Sequence, residues 1–578
     1  MTKKDYFIPR MFYKLLMPSV ISSFGFALAD MADALVLGQK IGATGLAAIS
    51  LCLPLFMLIN IFMDGLGIGG SVHFSQKLGE GNSKKAVECF NRTWISTLII
   101  GLLIGLAVNL FPNVFLALLG TTPEDGQLFE ACRDYMRIIA MGSPILMLNI
   151  VFSNFLRNDN NAPLATKGFL IGNAVDIILN IVLVVFVGLG TMGAALSTVI
   201  GSVVAISLYM PGIIGKKAGV LKIKYTAMDI KETFYCFKTG FSTSVQNLFQ
   251  LVFLLTVNRL LMNISGEGGV AVFDVVYNVS FFIVYIYNGV AEASQPLIST
   301  FSGENSEDDC KCVLGLSKKY GISLGAVVAA VLFVFARNVA ILFGITNELM
   351  PLAVYAIRIY CAGFAFTGLN ILYQNYYQSK ENTRLAFFIA FMRGFVILMP
   401  CVLIFALFGE NTIWLMFPVT EFVTLLLFYV FRKYNSKGTT IFDNERILRI
   451  TVEKDTEDMA TLLNRSVEFC ERWNAEESQK YSVTLVIEEI CMSIIRNAMK
   501  DISDGKIRIT LLAMENGEFV VNILDNAVVF NPFSLRSKKN ASDKDFDIDE
   551  ISMMMIRKKT KQFMYRRYNG FNSLVVRI

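Results

Sequence analysis

The chain has 578 residues, of which 54% are hydrophobic and 17% are charged, and its net charge is +5. This apolar content and a mean hydropathy of +0.54 exclude an ordinary soluble globular protein and predict a membrane protein. His73 is the single histidine, which excludes a histidine-rich metal site, and we predict no metal site.

Twelve hydrophobic stretches of roughly 20 to 28 residues come before Lys433, and each is long enough for a helix that crosses ~30 Å of hydrocarbon. The fold class predicted is therefore a polytopic all-α membrane protein with twelve transmembrane helices, followed by a soluble domain. The predicted spans are residues 14–38, 45–72, 92–116, 131–155, 165–187, 190–213, 234–262, 271–298, 317–343, 349–378, 384–408 and 411–432.

Lysine and arginine collect in alternate loops, as in 77–85, 215–224 and 311–319, whereas the loops between them, such as 121–126 and 265–269, are poor in both. Positively charged loops face the cytoplasm, so this alternation predicts cytoplasmic termini. An even number of spans requires both termini to lie on the same side, which agrees with the charge pattern. We expect a multi-pass protein of the plasma membrane whose contacts include the lipid bilayer.

The two halves of the membrane part carry similar short segments in the same order. Residues 74–83 resemble 301–306, and residues 155–165 resemble 377–386. Six spans per half give both halves the same orientation, so the pattern predicts two six-helix bundles that rock around a central cavity. The predicted domains are 1–214, a linker at 215–233, a second bundle at 234–436 and a cytoplasmic domain at 437–578.

Acidic side chains inside predicted spans are costly in lipid and should face a cavity or a partner. Asp30 and Asp33 share one helical face in span one, and Asp176 and Asn180 share one face in span five. Their oxygens could bind Na⁺, or one carboxylate could carry a proton. The alternative is that they only hydrogen-bond helix to helix. Glu292 in span eight and Glu421 in span twelve are further candidates for contact with a substrate.

The residues of spans one to twelve resemble the multidrug and toxic compound extrusion (MATE) family, over about residues 10–435. Residues 29–38 are similar to the family's opening Asn-x-x-Asp motif, with Asp30 at the usual Asn position. Asp176 and Asn180 resemble its Asn-x-x-x-Asp pair with the two residues exchanged. The segments 257–259 and 295–296 and Trp414, Pro418 and Glu421 also fit the family.

This resemblance implies export of small, amphipathic or cationic organic compounds in exchange for Na⁺ or H⁺. It implies Asp33 and the Asp176/Asn180 pair as coupling residues, with Asp30 as a further candidate. It also implies a substrate cavity, whose candidates are Asn258, Glu292, Gln295 and Glu421.

Two other functions stay open. A flippase for lipid-linked oligosaccharides shares the two-bundle plan and needs cationic cavity residues, for which the candidates are Arg133, Arg137, Arg337, Arg358 and Arg393. Alternatively, the membrane part senses a ligand and the tail acts on a cytoplasmic partner. A primary ATP-driven pump is disfavoured because the chain has no GxxxxGK[ST] motif.

The tail alternates between strand and helix patterns. We predict a strand at 446–452, helices at about 455–473 and 475–500, and a hairpin of 506–514 with 518–524 around Asn516-Gly517, followed by a helix and a last strand at 574–578. This order predicts an α+β sandwich with its helices on one face of the sheet.

The second tail helix resembles the N-box of GHKL-type ATPases, the fold of histidine kinases and anti-sigma-factor kinases. Glu489, Ser493, Asn497 and Lys500 share one helical face, and Asp525-Asn-Ala527 is similar to the family's adenine-reading Asp-x-Gly box. The resemblance implies Glu489 as a candidate general base.

Three departures from the GHKL pattern affect ligand contacts. Ser493 replaces the Mg²⁺-ligating Asn, Ala527 replaces Gly, and residues 545–555 contain acids and no glycine where a phosphate loop is expected. We therefore predict a non-catalytic tail that regulates transport or binds a cytoplasmic protein. We expect neither ATP nor Mg²⁺ as a ligand and no nucleic-acid partner.

Overall fold

The computed structural model describes residues 6–40, 42–119, 121–214, 219–224, 226–227, 229–343, 345–435, 444–453, 457–534 and 548–578. Within these ranges the side chains of residues 26–40, 42–47, 49–50, 251, 267, 434–435, 457–458 and 548–551 are not described. Two compact units result: Met1–Gln76 with Lys84–Lys437, and Lys77–Ser83 with Gly438–Ile578.

The first half of the helical region contains seven α-helices and a π-helical segment, Ile181–Phe186, which continues the sixth helix. The helices are α1 Phe7–Lys40, α2 Gly42–Gly79, α3 Ser83–Leu110, α4 Pro112–Leu119, α5 Gln127–Asn158, α6 Ala162–Asn180 and α7 Gly190–Ile213.

The second half repeats this pattern, including a π-helical segment at Met392–Val396. Its helices are α8 Ile230–Gly303, α9 Glu307–Val334, α10 Ala336–Leu342, α11 Met350–Ala362, α12 Phe364–Ser379, α13 Thr383–Phe391, α14 Leu398–Leu407 and α15 Met416–Asn435. Helix α8 contains two spans, because Gly266 breaks it with a φ of 62° and a ψ of −155°.

Ten helices among the described residues are long and apolar enough to cross a membrane, and α11 with α12, bent by 45°, gives an eleventh. The predicted span 14–38 lies on α1. The predicted fold class, a helical membrane protein with an α+β tail, is confirmed. Several helices extend beyond the predicted spans, since hydropathy ends at the membrane surface whereas the backbone hydrogen bonds of a helix continue into water.

The four segments that are similar between the halves form four turns of one kind. In each, a residue with positive φ follows the helix, namely Gly81, Asn160, Asn305 and Glu381. In each, the next amide closes back on the carbonyl five residues earlier: Asn82 N to Lys77 O, Asn161 N to Leu156 O, Ser306 N to Phe301 O and Asn382 N to Tyr377 O, at 2.8 to 2.9 Å. These are Schellman caps. They follow spans two, four, eight and ten, which are all even-numbered, so they share one side of the membrane part, which we call the cap side.

The second unit has a five-stranded antiparallel sheet in the order β1-β2-β3-β5-β4. Its elements are β1 Ile447–Glu453, α16 Glu457–Arg472, α17 Glu477–Ala498, β2 Lys506–Ala513, β3 Phe519–Asp525, α18 Ile548–Lys559, β4 Gln562–Tyr568 and β5 Phe571–Arg577. One buried core joins the three helices to alternate strand residues such as Ile507, Ile509 and Val521.

The predicted element order of the tail was wrong in one respect, because it lacked β4. Strands β4 and β5 pair in register across a two-residue turn, in which Asn569 and Gly570 both have positive φ, 50° and 93°. An Asn-Gly turn of this kind is as strong a hairpin signal as Asn516-Gly517. Arg566 and Arg567 interrupt the apolar pattern of β4, and the strand was missed for that reason.

Candidate functional site

Helix α1, which carries Asp30 and Asp33, packs along α6 and the π-helical segment that follows it. Thr166 Oγ1 of α6 donates a hydrogen bond to Pro18 O of α1 at 3.0 Å. Further along, Gly25 lies against the side chain of Leu170. The side chains of Asp30 and Asp33 lie outside the described residues.

Helices α1 and α6 run in the same direction, so the two contacts above give the position of Asp33 along the axis of α6. Eight residues from Gly25 to Asp33 rise about 12 Å, and six to ten residues beyond Leu170 rise about 9 to 15 Å. The backbone of Asp33 on α1 is therefore level with the Asp176–Asn180 turn of α6.

Asp176 and Asn180 lie one turn apart on α6, and Asn180 is buried. Helix α7 comes very close to this turn, since a Cβ on Gly201 would stand 2.9 Å from Asp176 Cβ and 2.7 Å from Gly172 O. The π-helical segment begins directly after Asn180. Such segments occur often at functional sites because they shift the direction of the following side chains.

Glu421 of α15 lies in a polar cluster within the second half. Arg393 donates to Glu421 Oε1 from Nε at 3.1 Å and from Nη2 at 2.6 Å, and Asn370 Nδ2 donates to Glu421 Oε2 at 2.6 Å. Arg393 belongs to the second π-helical segment. The sequence indicated Glu421 as a cavity residue but did not reveal these two partners, because the three residues come from different spans.

Glu292 of α8 forms an ion pair with Arg157 of α5, which also donates to Ser22 Oγ at 2.8 Å. Ser23 Oγ donates to Glu292 at 3.3 Å. The predicted span 131–155 ends before Arg157, and that end was wrong: α5 continues to Asn158 and Arg157 is only 8% exposed.

The other two cavity candidates differ in their surroundings. Gln295 is buried and its Nε2 donates to Ser71 Oγ of α2 at 3.0 Å. Asn258 is exposed on α8.

Sequence reasoning missed a row of polar residues on the first part of α8. Asn247 Nδ2 donates to Asp64 Oδ2 of α2 at 3.2 Å, and Gln246 Nε2 donates to Gln374 Oε1 of α12 at 2.8 Å. Gln250 donates to Tyr277. The available signal was the spacing of Gln246 and Gln250, one turn apart in an apolar stretch.

In the tail, the carboxyl group of Asp525 is used within the fold. Its Oδ1 accepts from Asn572 Nδ2 at 2.7 Å and from the amide of Ala527 at 2.9 Å. Asp525 is 2% exposed, and burial raises the pKa of its carboxyl to about 6. A carboxylate that reads adenine must leave an oxygen open to the base. Both hydrogen bonds here end on Oδ1, so it is the burial of Asp525 that restricts access to Oδ2.

The predicted N-box residues lie on α17 with different exposures. Ser493 is fully buried, whereas Asn497 and Lys500 are exposed and Glu489 is half-buried. Asn497 Nδ2 donates to Ser493 O at 3.0 Å. A hydroxyl that solvent does not reach is a poor Mg²⁺ ligand in this arrangement. Of the stretch 545–555, where a phosphate loop was expected, residues 548–555 belong to helix α18, and the side chains of its acids lie outside the described residues.

Two family models match the sequence. The MatE model matches residues 18–186 and 241–404, and the model of the histidine kinase-like ATPase domain matches residues 452–578. The chain is 24% identical over 446 residues to the multidrug export protein MepA of Staphylococcus haemolyticus, covering 74% of this chain and 96% of that protein. It is also 24% identical to the probable multidrug resistance protein YoeA of Bacillus subtilis, and the match covers 59% of this chain and 73% of YoeA.

Solved structures with the same membrane fold include an outward-facing multidrug resistance MATE family transporter of the MOP superfamily. It superposes with a TM-score of 0.69 at 20% identity and covers 76% of this chain and 99% of its own. A MOP superfamily transporter from Pyrococcus furiosus, described as having a binding pocket of reverse polarity, gives a TM-score of 0.67 at 20% identity. The match covers 75% of this chain and 99% of that transporter. At this identity the likeness shows the fold alone.

Proposed function

Because this chain belongs to the MatE family, we propose that it is a multidrug exporter that exchanges small organic compounds, cationic or amphipathic, for Na⁺ or H⁺ by alternating access. The relatives MepA, a multidrug export protein, and YoeA, a probable multidrug resistance protein, support export as the direction of transport. We further propose a plasma-membrane location with both termini cytoplasmic, which the alternation of loop charge supports. The bundles would then be residues 1–214 and 234–436, joined by 215–233 and followed by the domain 437–578.

Ion coupling is proposed at the first bundle, with Asp33, Asp176 and Asn180 as the coupling residues and Asp30 beside them. The observation that carries this proposal is the register of α1 on α6, which brings the backbone of Asp33 level with the Asp176–Asn180 turn. The carboxylate of Asp176 and the amide of Asn180, one turn apart on α6, suit Na⁺, and a carboxylate in a low dielectric suits H⁺.

A substrate cation is proposed to contact carboxylates that border both bundles. Asp64 and Glu292 are half-buried, and each contacts the opposite bundle, through Asn247 and Arg157 respectively. Asn258, Gln295 and Glu421 are proposed as further contacts. An organic cation gains from such carboxylates because they are already partly desolvated.

The flippase alternative needs a group of cationic side chains that could take a pyrophosphate. Among the described residues, Arg137, Arg337 and Arg358 are exposed on separate helices, and Arg393 is paired with Glu421. These positions favour the exporter.

The test of ion-coupled export uses the full chain in proteoliposomes loaded with ethidium. An imposed Na⁺ or pH gradient should drive ethidium movement in the wild type, and the gradient that works identifies the ion. Absence of gradient-driven movement with either ion, for ethidium and for a second organic cation, would overturn the proposal and favour a membrane sensor.

For the tail we propose a regulatory or protein-binding role without catalysis. The burial of both Asp525 and Ser493 supports it. The compact unit of the tail also includes residues 77–83, which contain the turn between α2 and α3. Arg577 Nε donates to Glu80 O at 3.1 Å, and Gln562 Nε2 donates to Gly81 O at 2.8 Å.

A further inference from the structure

Helices α2 and α8 cross at glycines, and this crossing brings the two bundles into backbone contact. A Cβ on Gly240 of α8 would stand 2.7 Å from Gly65 Cα, and a Cβ on Gly69 would stand 2.7 Å from Gly240 N. Gly65 and Gly69 are one turn apart, the small-xxx-small spacing that lets membrane helices approach closely. We call this crossing of Gly65 and Gly69 with Gly240 the glycine seam.

Three pairs of a cationic or imidazole side chain with a carboxylate join the same two bundles around the seam. The first bundle contributes Arg92, Arg157 and His73. Their partners are Glu292 and Glu381 of the second bundle and Glu232, which lies just before that bundle in the first turn of α8. Arg92 pairs with Glu232, Arg157 pairs with Glu292, and His73 Nδ1 lies 2.7 Å from Glu381 Oε1.

The surroundings of these pairs make them more than surface contacts. Tyr235 OH donates to the other oxygen of Glu381 at 2.7 Å, so both carboxylate oxygens are held. The side chains of Arg157, His73 and Glu381 are 9%, 11% and 13% exposed. Removal of one partner from a contact with this little water leaves the other charge unpaired, which costs more than the loss of an exposed ion pair.

We propose that these three pairs and the glycine seam form a gate that closes the cap side of the transporter, and that the pairs separate when the bundles open toward that side. This inference rests on the alternating access of the proposed function. Closing the gate requires Arg157 to reach Glu292, so a substrate cation bound to Glu292 must leave it first. The gate would thus couple closure of the cap side to departure of the substrate from Glu292.

A native pair of thiols can report the state of the gate. Cys89 of α3 and Cys236 of α8 belong to opposite bundles, and their sulfur atoms are 3.9 Å apart with both residues buried. Copper phenanthroline in air joins two thiols that meet by removing two electrons and two protons, with dioxygen as the acceptor. The initial rate of this cross-link in the full chain, read from disulfide-linked peptides by mass spectrometry, measures how often the gate is closed.

The decisive variants remove one carboxylate charge at a time. We expect E232Q and E292Q each to lower the cross-linking rate by about threefold or more, since each loses a charge-assisted contact. The matched control is E307Q: Glu307 pairs with Lys380 within the second bundle, with similar exposure, and should leave the rate unchanged. A wild-type rate in both E232Q and E292Q, or an equal fall in E307Q, would overturn the gate.

A charge-swap pair distinguishes loss of the ion pair from misfolding of a variant. R92E should lower the rate and R92E/E232R should restore it, whereas a misfolded protein would not recover. The C89S variant must give no linked peptide, and a signal that persists in it would also count against the proposal. Because the cross-link needs neither an ion gradient nor a substrate, a chain that transports nothing can still show the gate, and the two proposals fail separately.

Discussion

Arg393 and Glu421 meet inside the second bundle, where Arg393 donates to a single carboxylate oxygen from Nε at 3.1 Å and from Nη2 at 2.6 Å. Their side chains are only 15% and 13% exposed. The acid of span twelve is therefore compensated within its own bundle. A buried ion pair contributes little net stability, yet removal of one partner leaves an uncompensated charge and is costly.

The first prediction concerns this pair. R393M alone leaves Glu421 charged and unpaired, so we expect it to destabilise the protein by about 3 kcal/mol. The double variant R393M/E421Q should recover most of the loss, because no charge then stays buried. Thermal unfolding in detergent checks this, and a double variant that melts below the single one would contradict it.

The second prediction concerns coupling. D176N should abolish gradient-driven efflux while the protein still folds, since an amide can neither carry a proton at neutral pH nor neutralise Na⁺. The matched control is D274N, the same substitution at an exposed position of α8, which should retain efflux. Equal activity in the two variants would remove Asp176 from the coupling site.

The third prediction tests the close approach of α7 to the Asp176 turn. G201A puts a methyl group 2.7 Å from the backbone oxygen of Gly172, which cannot rotate away. The helices must separate, at a cost of about 1 to 3 kcal/mol, and both melting temperature and efflux should fall. G315A on α9 is the control, because a Cβ there meets no atom within 4 Å.

The fourth prediction concerns nucleotide. Calorimetry of the full chain with Mg-ATP should give no saturable binding, because Asp525 and Ser493 are withdrawn from solvent. A chain ending at Lys437 provides the baseline. Tight binding that is lost on this truncation would show that the tail still takes nucleotide.

The fifth prediction follows from the pKa of Asp525, which burial raises from 3.8 to about 6. As pH rises, the Asp525 carboxyl of the unfolded chain loses its proton at a lower pH than that of the folded tail. The free energy of unfolding of the tail therefore falls as pH rises from about 4 to 6, and it remains at the lower value above pH 6. D525N keeps the Oδ1 acceptor without the charge, and should stabilise the tail by at most about 3 kcal/mol at pH 7.5. Hydrogen exchange of β3 and β5 in the full chain should show this difference shrink toward pH 4. A difference that is the same at both pH values would contradict the prediction.

Much of the fold follows from local sequence. The spans of α3, α5 and α9 were predictable because an apolar run of this length has few alternatives to a membrane helix. The hairpin of β2 and β3 was predictable from Asn516-Gly517, and the same reasoning applied to Asn569-Gly570 would have given β4.

The sequence by itself determined the membrane class, the order of the elements apart from β4, and the acids that lipid would not tolerate, because these depend on the chemistry of contiguous residues. Only the tertiary structure decided which residue each of them meets: Arg393 with Glu421, Arg157 with Glu292, Asp525 with Asn572. Those partners are 28, 135 and 47 positions apart. The contact between them depends on how helices and strands pack, and no local pattern in the chain records that.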